Sequence, residues 1–143
     1  DQRQKIEIYK RIREIESRTY YQDLQDELID RFGEYPDTVA YLLEIGLLKY
    51  FADHAFVDKI DKQMATIVYT MSKAATHTFM PQDYFDALSK TQLKAKIGET
   101  AGQMVIRFDI RNLSASAYLS AIMSFTERLS EIRDEKNNEK TGL

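Results

Sequence analysis

Glu27-Leu28-Ile29-Asp30-Arg31-Phe32-Gly33-Glu34-Tyr35-Pro36 decides how the chain is read. It combines the last turn of a helix, a glycine stop and a proline restart. Gly33 can take the positive φ that ends a helix at little steric cost. Pro36 suits the first turn of the next helix, where its missing N–H would be unpaired anyway. The segment is therefore a corner between two helices, and it carries acids.

Upstream of the corner, Tyr21, Leu24, Leu28 and Phe32 share one face of a helix over residues 20–32. At about 100° per residue, Asp23, Asp26, Glu27 and Asp30 gather on the opposite side. Like charges one turn apart repel, and a carboxylate near a helix C-terminus opposes the dipole. The strip is either an ordinary solvated face or a docking surface for a basic partner. Before it, Ile8, Ile12 and Ile15 predict a helix over 3–17, with Ile6 and Tyr9 broadening its apolar face. Arg3, Lys5, Lys10, Arg11 and Arg13 make that helix basic. This is a solvated face partly paired with Glu7, Glu14 and Glu16, or a contact for nucleic acid or an acidic protein. After the corner, residues 36–54 are apolar almost all round, which predicts a central, buried helix. Gly46 in its middle costs about 1 kcal/mol of helix propensity and predicts a close crossing by another element.

The periodicity changes near Phe56. Phe56–Asp61 and Ala65–Met71 read as a hairpin joined at Lys62-Gln63-Met64. Ser72–Met80 is weakly patterned and reads as irregular. Pro81–Leu88 predicts a short helix with Pro81 in its first turn. Strands follow at Leu93–Ile97 and Met104–Ile110, with Gly98–Gly102 as the turn between them. Alternation of apolar and polar residues in both predicts an antiparallel sheet covered on one side. A last helix from Ser114 to Glu135 has Ser114 as N-cap and Leu113 and Tyr118 as a hydrophobic staple. Its buried stripe is Tyr118, Ile122, Phe125, Leu129 and Ile132. The expected fold is α+β: N-terminal helices, a small mainly antiparallel sheet of about four strands, and a closing C-terminal helix. Residues 1–143 form one domain, with 136–143 a frayed tail.

Composition narrows the function. With 143 residues and 43% hydrophobic side chains, the chain can bury a core. No cysteine is present, which excludes disulfides and cysteine metal sites and agrees with a reducing compartment. No apolar run is long enough to span a membrane, and no signal peptide is visible. A net charge of −3 argues against a general nucleic-acid binder. The chain opens inside a helical pattern without Met, which reads as a domain excised from a larger protein, or else as a processed small one. No P-loop is present. Gly98 and Gly102 precede a strand, the wrong context for cradling phosphate. His54 and His77 lack the carboxylate spacing of a zinc site, and no nucleophile elbow occurs. The expectation is a non-catalytic chain without cofactor or metal.

The corner resembles the E-L-x-D-R-F-G-x-x-P signature of the C-terminal domain of the bacterial transcription-repair coupling factor family. Ile8-Tyr9-Lys10-Arg11-Ile12 resembles the basic, tyrosine-bearing helix before it, and Leu42-Leu43-Glu44-Ile45 with Lys49 the helix after it. The motif match spans residues 6–60; from 61 to 143 the order of elements and the apolar pattern agree. The resemblance implies a parent that is a cytoplasmic ATP-driven DNA translocase. Such a parent displaces stalled RNA polymerase and recruits the excision-repair damage-recognition protein. ATP and magnesium would belong to motor domains outside this chain. The resemblance implies a regulatory role here: docking on the parent's N-terminal module, similar to the excision-repair helicase subunit, and masking its recruitment surface. Carried over singly, Glu27 and Asp30 are the candidate docking acids, with Asp23 and Asp26 as further members of the strip. Arg31 either pairs locally or faces the partner. The alternative is an accessory nucleic-acid-binding domain using the basic first helix.

Overall fold

Ser17 is the residue that separates the first two helices. Its Oγ accepts the Tyr20 N–H at 3.0 Å, capping the second helix. The computed structural model describes residues 2–140. Here α1 is Gln2–Arg13, α2 Arg18–Phe32 and α3 Asp37–His54. The first helix is thus shorter than its apolar spacing predicts. Its last turn tightens, with the Ile15 N–H donating to the Ile12 carbonyl at 3.2 Å, and Ile15 is buried from a non-helical position. The chain divides into two compact units, one ending at Tyr50 and one beginning at Phe51.

In the first unit Ile12, Leu24, Leu28, Leu43, Leu47 and Leu48 form the core. Gly33 has φ +73°, and its N–H donates to the Ile29 carbonyl at 2.8 Å, closing α2 as expected. Pro36 lies one residue ahead of α3; its carbonyl accepts the Val39 and Ala40 N–H groups. The predicted crossing at Gly46 is present and comes from α1. A Cβ there would lie 2.7 Å from Ile12 Cγ2 and 3.2 Å from the Ile12 carbonyl oxygen. Three apolar expectations need correction. Ile6 and Tyr9 point to solvent, and Phe32 is exposed beneath the Arg31 guanidinium, 5.3 Å from its ring centroid. Tyr41 on α3 is also exposed, so that helix is not buried all round.

The second unit holds β1 (Val57–Gln63), β2 (Thr66–Met71), α4 (Lys73–Thr76), α5 (Pro81–Leu88), β3 (Lys94–Thr100), β4 (Gln103–Asp109) and α6 (Ala115–Lys140). The four strands pair antiparallel in the order β1-β2-β4-β3. Tyr69, Phe108 and Phe125 meet edge-to-face at centroid distances of 5.0–5.7 Å and pin α6 to one sheet face. Buried Thr126 donates its hydroxyl to the Ile122 carbonyl at 2.6 Å and lies 2.7 Å from the Tyr69 hydroxyl. One proton serves one bond, so the Tyr69 O–H must be the donor to Thr126.

Several expectations shift here. Val68 and Val105 are buried although they lie on the opposite sheet face from Tyr69 and Ile106. Both sit on central strands, flanked on each side by neighbouring strands. β3 extends to Thr100, so the turn is only Ala101-Gly102, both at positive φ as a tight hairpin requires. The first hairpin turns at Met64-Ala65, with Met64 alone of the two at positive φ. The stretch read as irregular contains α4, which buries Ala75, with Phe79 buried just beyond it. Ser114 Oγ accepts the Ala117 N–H at 3.1 Å, the predicted cap, while Leu113 of the expected staple is exposed. α6 continues to Lys140 rather than ending at Glu135. Ion pairs to α5 hold its later turns: Lys136–Asp83 at 2.9 Å and Arg128–Asp86 at 3.0 Å. The rest of the expected frayed tail, 141–143, lies outside the described residues.

Candidate docking face on the second helix

Helical geometry places Asp23, Asp26, Glu27 and Asp30 on one strip of α2, and the structure divides them. Asp23, Asp26 and Asp30 are exposed, and among the described residues none of the three forms an ion pair. Glu27 is half-buried and turned toward α1, where it accepts a charge-assisted hydrogen bond from Arg11. That guanidinium also donates to the Tyr20 hydroxyl at 3.1 Å and lies 5.8 Å from the same ring. These contacts, Tyr20 before Glu27, hold Arg11 more firmly protonated than usual. Arg31 pairs across the same seam with Glu7 at 3.6 Å. Glu7 and Arg11 are one turn apart on α1, and Glu27 and Arg31 one turn apart on α2. The two pairs stitch neighbouring turns with opposite polarity.

Of the five candidates, then, Glu27 and Arg31 are committed inside the first unit, and Asp23, Asp26 and Asp30 are presented outward. Glu7 and Arg11 were legible in sequence only as part of a mixed-charge helix. Their i, i+4 spacing, matched to Glu27 and Arg31, was the available signal. Ile29 is 49% exposed on the flank of the acidic strip. It offers an apolar contact beside Asp26 and Asp30. Between α1 and α2 the space amounts to about 10 Å³, room for no more than one water. What α2 offers is a face and not a pocket.

Elsewhere, His54 Nε2 lies 2.7 Å from Asp134, and the His54 carbonyl accepts from Arg133 at 2.7 Å. His54 thereby ties the end of α3 to α6. Among the described residues no group of three or more His, Asp or Glu side chains is placed to hold a metal ion. No helix there is long and apolar enough to cross a membrane.

Three N-terminal helices, followed by a four-stranded antiparallel sheet and a long closing helix, define an α+β fold. The chain belongs to the transcription-repair coupling factor family: the TRCF domain model matches residues 1–82, which include the corner motif. It is 27% identical to the transcription-repair-coupling factor of Bacillus subtilis strain 168 over 135 residues, 94% of this chain and 12% of that protein. Against the same factor of Staphylococcus aureus strain USA300 it is 33% identical over 129 residues, 89% of this chain and 11% of that protein. It therefore spans only about a tenth of these relatives' length. A crystal structure of the C-terminal domain of transcription-repair coupling factor superposes with a TM-score of 0.91 at 50% identity. The match covers 95% of this chain and 84% of that one. The likeness thus extends well past residue 60, and the chain corresponds to that C-terminal domain.

Proposed function

We propose that this chain is a non-catalytic regulatory domain of a cytoplasmic bacterial DNA translocase. It docks on the N-terminal, helicase-subunit-like module of the same protein and masks the site for the excision-repair damage-recognition protein. ATP and magnesium act in motor domains elsewhere in the parent, and RNA polymerase and DNA are partners of this chain only indirectly, through the parent. The observation carrying this reading is the outward presentation of Asp23, Asp26 and Asp30, which among the described residues have no ion-pair partner. An exposed ion pair contributes about 0–1 kcal/mol, so three make a weak interface between free proteins. Tethering within one chain raises the effective concentration to about millimolar, so the contact closes once apolar burial beside the acids, such as that of exposed Ile29, brings the total past about 4 kcal/mol. A partner that binds the open form better can then reopen it.

The test uses the full-length parent with Asp26→Lys and Asp30→Lys together, leaving Glu27 in place because it also holds α1. Affinity for the damage-recognition protein should rise by about tenfold, the equivalent of 1.4 kcal/mol. An unchanged affinity with a folded domain removes the docking role of these acids. The alternative nucleic-acid reading has lost Arg11 to Glu27 and Tyr20. It would require salt-dependent DNA binding through Arg3, Lys5, Lys10 and Arg13.

A further inference from the structure

The sheet carries a second charged surface, opposite in sign to α2. A groove of about 700 Å³ opens between the first hairpin turn and the β3–β4 pair. Lys94, Lys96, Arg107 and Arg111 line it together with one acid, Asp109. Arg111 occupies that acid, with Nη2 at 2.8 Å and its backbone N–H at 3.0 Å. These bonds hold the Asp109 carboxyl down at about 2. Lys94, Lys96 and Arg107 are exposed, and among the described residues none of them forms an ion pair. Register places Lys96 directly opposite Arg107. Like charges so paired destabilise a sheet, and a bound anion would relieve them.

The backbone supplies the second observation. β3 pairs only with β4 and is an edge strand. Among the described residues its outer N–H and C=O groups have no strand partner, a template for another extended segment. Gly98, on the same face as Lys94 and Lys96, has no atom within 4 Å of where a Cβ would sit. The opposite face of β3 presents Ala95, half-buried, and Ile97, 36% exposed.

We propose that β3 is a strand-addition site for an extended peptide that alternates acidic and small apolar residues. Its carboxylates meet Lys94 and Lys96, with Arg107 one strand further in on β4 adding to the positive field, and its apolar residues extend the row of Ala95 and Ile97. A period of two puts carboxylates at i and i+2 on one face, the same spacing as the two lysines. Nucleic acid fits less well: the one aromatic ring lining the groove, Phe108, is fully buried. No ring is left for a base to stack on, and a phosphate backbone makes poor use of edge carbonyls. Edge lysines also deter sheet-to-sheet aggregation, and that role alone predicts no peptide binding.

The probe is a blocked hexapeptide of alternating Glu and Val, titrated into the ¹⁵N-labelled chain at low salt. Amide shifts should centre on residues 94–100, and Lys94→Glu with Lys96→Glu should weaken binding at least tenfold. The Lys94→Gln and Lys96→Gln pair, which adds no new charge, should weaken it less, whereas Lys59→Glu on the far edge should leave it unchanged. Absence of shifts, shifts centred elsewhere, or equal binding of a Lys-Val peptide would each overturn the proposal. So would tighter binding of hexathymidylate at the same residues, which would make the surface a nucleic-acid site.

Discussion

Reversing charge at Glu27 and at Asp30 should change stability in opposite directions, although both acids belong to one strip and one motif. Glu27→Lys removes the bond to Arg11, formed between side chains that are 40% and 30% exposed. At that exposure the pair contributes up to about 1 kcal/mol. The new lysine would also face Arg11 as a like charge, costing a further few tenths of a kcal/mol. Arg11 would keep only its Tyr20 contacts. The total loss is about 1–1.5 kcal/mol, or roughly 5 °C in Tm for a chain of this size. Asp30→Lys does the reverse. It relieves repulsion with Asp26 and Glu27, creates an i, i+4 pair with Asp26, and puts a cation in the last turn of α2. Each effect is worth a few tenths of a kcal/mol, so Tm should hold or rise by about 1–2 °C. Thermal denaturation followed by circular dichroism, at low and high salt, measures both, and both differences should shrink with salt. If Asp30→Lys destabilises as much as Glu27→Lys, or if Glu27→Lys is neutral, then Glu27 and Asp30 do not have separate roles.

Three further outcomes follow from the packing. Gly46→Ala gains about 1 kcal/mol of helix propensity but places a methyl 2.7 Å from Ile12 Cγ2. Overpacking typically costs about 1–3 kcal/mol, so urea denaturation should show a net loss, partly recovered by adding Ile12→Leu. Because the Tyr69 O–H donates to Thr126, Thr126→Val strands a buried hydroxyl and should cost about 2 kcal/mol. Tyr69→Phe should cost about 1 kcal/mol, and a double-mutant cycle should show the pair to be less costly together than summed. Burial raises the Tyr69 phenol strongly and pushes Tyr84 up to about 12. Their folded pKa values lie above the unfolded value of about 10. Their stability contribution is therefore complete below about pH 10 and is lost as pH rises through the folded values. Denaturant midpoints should fall between about pH 10 and pH 12, and Tyr84→Phe should make the fall shallower.

Much of the architecture is written locally. Gly33 ends α2 and Ser114 opens α6 because a positive φ and a side-chain oxygen acceptor are properties of single residues. Alternation at Ile67, Tyr69 and Met71 marks a strand because side chains in a strand repeat every two residues. Local rules missed α4, which has four residues, too few to develop a period. They also missed the end of α1, where Ile15 keeps helical spacing while leaving the helix. Strand order β1-β2-β4-β3 was not legible, since each strand shows its faces but not its neighbours.

The corner Glu27–Pro36 shows the same division within ten residues. Its turn and its acids were readable from residue type and spacing, and its family from the resemblance of the motif to a known signature. Which acid is spoken for was not. Periodicity fixes the direction of a side chain around its own helix axis, and on that measure Glu27 and Asp30 point the same way. Only the tertiary structure brings Arg11 of α1 against one edge of the strip, leaving Asp23, Asp26 and Asp30 outside. A charge pair depends on what another element carries to within about 4 Å, and no property of a single helix contains that distance.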